Sequence, residues 1–118
     1  MKNITQIITG VVLSGQNKGE QTGARTANLD ITLAKDLNKG LYSCDIFLNN
    51  KNYSGLLYYG YNSLSQQDCL EAHILNFKED IYGQEIKIKI KKFIRPEIKF
   101  KNIEELKKQI KQDLSSII

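Results

Sequence analysis

Isoleucine recurs at every second position from Ile86 through Ile88 to Ile90, and Glu85, Lys87, Lys89 and Lys91 fill the places around them. A two-residue period puts the isoleucines on one face of an extended chain and the charges on the other, the pattern of an antiparallel strand with one dry and one wet face. Wound into a helix, the same segment would scatter isoleucine and lysine around the whole circumference. The period therefore commits this part of the chain to a sheet. Tyr42, Cys44, Ile46 and Leu48 repeat it, with Ser43 and Asp45 opposite; Asn49-Asn50-Lys51-Asn52 then reads as a hairpin turn and Tyr53 to Gly60 as the returning strand. Thr5 to Leu13, Thr26 to Leu33 and Leu70 to Phe77 carry the β-branched and apolar content of three more.

After Pro96 the period lengthens. Ile103, Leu106, Ile110, Leu114 and Ile117 fall on one helical stripe, and Asn102 with Glu105 three residues on forms a capping box. Six short antiparallel strands followed by one helix predict a mainly β fold: a small closed barrel, since closure removes exposed strand edges, with the helix packed across one end or side.

The 118 residues hold one domain, 1–118, and one core. Hydrophobic residues at 41% and charged residues at 25% exclude a disordered chain. No apolar run approaches the roughly 18 residues that a spanning helix needs. The stretch from Met1 to Gln6 turns polar too soon for a signal peptide, so a cytoplasmic setting is expected. A net charge of +4 suits a polyanionic ligand such as a nucleotide about as well as it suits nucleic acid. Cys44 and Cys69 read as small buried hydrophobes, and with His73 the sole histidine no zinc-ligand spacing is present.

Between the first two strands lies Ser14-Gly15-Gln16-Asn17-Lys18-Gly19-Glu20-Gln21-Thr22-Gly23. On its glycine content this is either a flexible hairpin connection or a loop whose backbone amides close on phosphate oxygens. It is neither a Walker loop, lacking a Gly-Lys-Ser/Thr, nor a dinucleotide fingerprint, because an extended segment rather than a helix follows.

The ordered set of motifs is more specific than the loop. Gly10-Val11-Val12-Leu13-Ser14-Gly15, then Gly19, Gly23 and Thr26-Ala27-Asn28-Leu29, resembles the amino-terminal motif of the riboflavin kinases (flavokinases). Gly40-Leu41-Tyr42 is similar to their Gly-Val-Tyr, and Glu71-Ala72-His73-Ile74-Leu75-Asn76-Phe77 to their Glu-x-His-Ile-x-Asp-Phe. Glu79-Asp80-Ile81-Tyr82-Gly83 and Arg95-Pro96-Glu97-Ile98-Lys99-Phe100 complete the series, which covers nearly the whole chain in order. The resemblance implies a six-stranded antiparallel Greek-key barrel with a C-terminal helix. It also implies transfer of the γ-phosphoryl group of ATP to the 5′-hydroxyl of riboflavin, giving FMN.

Phosphoryl transfer needs positioning, charge neutralisation and a base at the nucleophile. Within the resemblance, the Thr26 hydroxyl and Asn28 carbonyl oxygen are hard ligands for Mg²⁺ or another divalent metal, on one face of a strand by their i, i+2 spacing. Gly15, Gly19 and Gly23 would wrap the ATP phosphates, and Glu71 would accept the ribityl hydroxyl proton as general base. Tyr82 would lie near the nucleotide, and Arg95 and Phe100 against the flavin. Outside the resemblance, Thr26 and Asn28 read as strand polarity, Glu71 as an exposed carboxylate, His73 as a hydrogen-bonded structural histidine and Arg95 as a solvated loop residue.

Four positions depart from the family pattern: Arg25 replaces the proline before Thr-Ala-Asn, Glu20 a commonly basic residue, Ser63 a proline, and Asn76 the usual aspartate. They leave Thr26, Asn28 and Glu71 in place and fall mainly on the phosphate loop. The alternatives are a non-catalytic flavin- or nucleotide-binding member of the same fold, or a small RNA-binding barrel built on Lys87, Lys89 and Lys91. A monomer acting on small molecules, without nucleic acid or membrane, is expected. The chain shows no second module, so FAD synthesis is not expected of it.

Overall fold

The computed structural model describes residues 6–16, 24–62, 66–77 and 79–96, with residues 105, 108, 109, 111 and 112. Among them run seven strands: β1 (Gln6–Val11), β2 (Ser14–Gln16), β3 (Ala24–Leu29), β4 (Gly40–Leu48), β5 (Lys51–Asn62), β6 (Gln67–Leu75) and β7 (Glu85–Pro96). They form one sheet in the order β1-β7-β4-β5-β6-β3-β2, antiparallel at every pairing. β4, β5 and β6 are consecutive neighbours, and β7 returns to lie beside β4, which is a Greek key.

The two outer strands of the sheet, β1 and β2, are one strand bent at Val12 and Leu13. Its first half pairs with β7 and its second with β3, and Leu13 N–H donates to Asn28 O (2.8 Å). Val12 N–H donates to Gln84 O and Val12 O accepts from Gly83 N–H, both at 2.9 Å. The bend brings the two ends of the curled sheet together, and six expected strands become seven because it interrupts the first.

Alternation sets the faces. Ile46, Leu57, Ala72, Ile86 and Ile88 are almost completely buried in the main core, and Lys87 and Lys89 are exposed, as their period requires. The β4–β5 turn is tighter than the sequence implies: only Asn49 and Asn50 lie between the strands, with φ of 52° and 63°. Two left-handed residues make a type I′ turn, whose twist matches the strands it joins. The extended segment expected from Thr26 to Leu33 stops at Leu29. Asp30 accepts hydrogen bonds from the Thr32 N–H (2.9 Å) and hydroxyl (2.8 Å), and Ile31–Ala34 winds into a 3₁₀ turn. Those bonds hold the Asp30 carboxyl below its ordinary pKa.

β6 runs earlier than the expected Leu70–Phe77, because Asn76 (φ 54°) leaves the extended region and ends it. The expected C-terminal helix lies largely outside the described residues and is not among the elements they define; Glu105, Lys108, Gln109, Lys111 and Gln112 have helical backbone. No helix among the described residues is long and apolar enough to cross a membrane.

Candidate active site

β3 and β6 pair so that Thr26 stands opposite His73 and Asn28 opposite Glu71. Directly opposed residues of antiparallel strands share a face. That face is not the core face: Ala27, Leu29, Leu70 and Ala72, the alternate positions, belong to the main core. Thr26, Asn28, Glu71 and His73 thus form a polar square on the other side of the sheet. Leu56 and Tyr58 of β5 stand opposite His73 and Glu71, and with Leu41 build a second, smaller apolar cluster beside the square.

The square is drier than alternation predicts. Glu71 is 5% exposed, His73 5% and Thr26 0%, so the carboxylate expected to face water is buried. Thr26 Oγ1 and His73 Nδ1 are 3.1 Å apart, and His73 Nε2 lies 3.9 Å from Glu71 Oε1. Asn62 Nδ2 donates to Glu71 Oε2 at 3.4 Å. A buried carboxylate held this way has one oxygen toward an amide and the other toward an imidazole, with its orientation restricted on both sides.

Asn28, Asn62 and Glu71 line a cavity of about 500 Å³, together with Leu13, Asp30 and Asp68. This volume lies in the range of small-molecule sites. Thr26 lies in the adjoining row, next to His73, and does not line the cavity. Asn62, the last residue of β5, is a candidate site residue that sequence reasoning missed; its signal was its place before Ser63, a position read for its missing proline alone.

The remaining expected residues are spread around this centre. Gly15 is in β2 opposite Ala27, so the start of the glycine loop runs beside the strand carrying Thr26 and Asn28. Gly19 and Gly23 lie outside the described residues, as do Glu20, Ser63 and Phe100. Tyr82 is 68% exposed, in the loop whose Gly83 and Gln84 bond to Val12, and its N–H donates to Asp80 Oδ1 (3.0 Å). Arg95 stands opposite Leu41 on β7, three strands along from Glu71 with β5 and β4 between, or about 14 Å at the usual strand spacing. Its guanidinium donates to Pro96 O at 3.1 Å. Thr26, Asn28 and Glu71 are therefore brought together, and Arg95 and Tyr82 are not adjacent to them in the sheet.

Among the described residues no cluster of three or more His, Cys, Asp or Glu side chains is placed to hold a metal. The hydroxyl of Thr26 and carboxamide of Asn28 are instead neutral oxygen donors. This donor set fits Mg²⁺, which keeps several waters and takes the rest of its oxygens from nucleotide phosphates.

The family model for riboflavin kinase matches residues 4–117. A "Trifunctional protein RibF/MnmA" from Mycoplasmoides gallisepticum is 40% identical over 90% of the chain, and a "Bifunctional riboflavin kinase/FMN adenylyltransferase" from Listeria monocytogenes 34% identical over 88%. The "RNA-binding riboflavin kinase RibR" of Bacillus subtilis is 33% identical over 94%. The chain spans only 17%, 34% and 49% of these three proteins. Among solved structures, the riboflavin kinase of Trypanosoma brucei shares the fold, with a TM-score of 0.60 at 20% identity over 92% of this chain and 74% of that one. A mainly β sheet with this strand order, a Thr-x-Asn strand facing a Glu-x-His strand, and a family match over almost the entire length place the chain in the riboflavin kinase family.

Proposed function

We propose that the chain, as one domain over residues 1–118, transfers the γ-phosphoryl group of ATP to the 5′-hydroxyl of riboflavin, working on small molecules as a cytoplasmic monomer. The observation that carries this is the cross-strand pair Asn28–Glu71 on the wall of the cavity. It sets the Asn28 side chain beside a carboxylate, a pairing that supports in-line phosphoryl transfer with Asn28 as a metal ligand. Glu71 accepts the proton of the attacking hydroxyl, and Asn62 holds the carboxylate toward it. Asn28 in the cavity and Thr26 in the adjoining row would hold Mg²⁺, and a metal there would supply neutralisation of charge on the transferring phosphate. The loop from Gly15 through Gly19 to Gly23 meets the nucleotide, as does Tyr82, whose neighbour Gly83 donates to Val12 O. Arg95 and Phe100 meet the flavin ring, and a ligand that reaches both Glu71 and Arg95 must lie across β5 and β4.

The test is FMN formation from riboflavin, ATP and Mg²⁺, with a no-metal control. Metal-dependent turnover is expected, with Glu71→Gln lowering it on the order of a hundredfold or more while riboflavin still binds. Equal turnover of Glu71→Gln and wild type would remove Glu71 as the base, and riboflavin binding without any turnover would leave a binding protein in place of a kinase.

A second reading, RNA binding, has one observation behind it: Phe47 is 40% exposed and stands opposite Lys87, beside Lys89 on the wet face of β7. It predicts affinity for single-stranded RNA that falls steeply with salt; a flat salt response removes it.

A further inference from the structure

Resting on the kinase reading, we propose that His73 is a positioning residue that ties the base to the metal ligand: its ring takes the Thr26 hydroxyl hydrogen at Nδ1 and keeps its own hydrogen on Nε2, toward Glu71. The reasoning starts from the two ring nitrogens, which are distinct and take opposite roles in a neutral imidazole. Nε2 lies 3.9 Å from Glu71 Oε1, and the two side chains are each 6% exposed. In so dry a place a nitrogen lone pair aimed at a carboxylate is repelled and an N–H is attracted, so the carboxylate selects the hydrogen on Nε2. Nδ1 is then an acceptor, and at 3.1 Å its partner is the Thr26 hydroxyl.

This polarity matters for Thr26. A hydroxyl has one hydrogen and two lone pairs. With the hydrogen committed to His73, both lone pairs are left for a cation, and the hydroxyl can no longer rotate its positive end toward one. The opposite tautomer would spend a lone pair on His73 and point the hydroxyl hydrogen into the space a metal would take. Partners of this kind, which orient a ligand without touching the metal, change metal affinity by about 10–100-fold when removed. Register holds the assembly: Thr26 and His73 are directly opposed, and Leu56, 1% exposed, stands opposite His73 on its other side.

The chain contains a single histidine, so a long-range ¹H–¹⁵N correlation spectrum of histidine-labelled full-length protein reads this ring alone. The Nε2–H tautomer is expected; the Nδ1–H tautomer overturns the inference. The second measurement is ADP binding with and without Mg²⁺. His73→Leu is expected to weaken Mg²⁺-dependent binding about tenfold and leave metal-free binding unchanged. His73→Asn, whose carbonyl can accept from Thr26, is expected to keep most of it.

Thr26→Val supplies a cycle that does not depend on one variant. If His73 acts through Thr26, adding His73→Leu to Thr26→Val costs nothing further. Additive losses, or equal losses in Asn and Leu variants, overturn the inference and leave the kinase reading standing. Wild-type protein that binds ADP no better with Mg²⁺ than without overturns both.

Discussion

Two cysteines that look alike in the sequence have opposite chemistry in the fold. Cys44, 2% exposed in the main core, has its thiol pushed up to about 12, chiefly by burial and further by the charge of Asp45, with Lys91 opposing. At pH 8 it holds no appreciable thiolate and is inert. Cys69 is only partly buried and lines the cavity two residues before Glu71. Iodoacetamide at pH 8 is therefore expected to modify Cys69 alone in folded protein, more slowly when ATP analogue, Mg²⁺ and riboflavin fill the cavity. Mass-spectrometric mapping that finds Cys44 labelled first would contradict this. The raised folded value also has a sign: above pH 9.0 the unfolded chain ionises at Cys44 and the folded one does not, so the protein is expected to lose stability as pH rises past 9. Asn28 makes the complementary prediction about binding. Asn28→Ala removes the cavity-wall oxygen proposed to hold the metal, and turnover is expected to fall and to recover in part when Mg²⁺ is raised, as a titration of rate against metal would show.

At the scale of elements, the strands were legible where one face meets water and the other the core. β7 and β4 announce themselves because lysine, aspartate and serine alternate with isoleucine and leucine. Strand ends were less legible, since single side chains decide them: Asp30 turns the chain by capping Thr32, and Asn76 ends β6 by adopting a left-handed backbone. The bend at Val12–Leu13 had no signal at all, because both residues suit a strand and the bend is made by hydrogen bonds to Gln84 and Asn28, remote in sequence. For the site, i, i+2 spacing placed Thr26 with Asn28 and Glu71 with His73. Their burial was not readable, because alternation tells which face a residue is on and not what covers it. Gly55 links an element to the site. A Cβ there would sit 2.5 Å from the backbone carbonyl oxygen of His73 and 2.6 Å from Ile46 Cδ1. Gly55→Ala must part β5 from β6, and is expected to cost about 1–3 kcal/mol in urea unfolding. It should also lower turnover, because the backbone pushed is that of His73; destabilisation with unchanged turnover would show that the strand absorbs the strain elsewhere.

The molecule as a whole uses the two sides of one sheet for two purposes. One side of the curled sheet holds the main core; the other carries the polar square and its small apolar cluster. The main core and the polar square thus take alternate residues of the same strands, and β5 shows the division most sharply. Leu57, fully buried, points into the main core opposite Ala72, while its neighbour Tyr58 stands opposite Glu71 on the site side. Leu57→Ala leaves a cavity in a core shared by nearly every strand, and is expected to cost about 2–5 kcal/mol. At the usual scaling for a domain of this size, the melting temperature would drop by at least about 8 °C. The core packs six of the seven strands together, so circular dichroism and tyrosine fluorescence should report the same transition. Turnover per folded molecule, measured well below that transition, should change little, because no side chain of the square is displaced. A selective loss of turnover in Leu57→Ala, at temperatures where both probes show the variant folded, would mean that the core face sets the geometry of the site through the backbone and that the two sides are not separable.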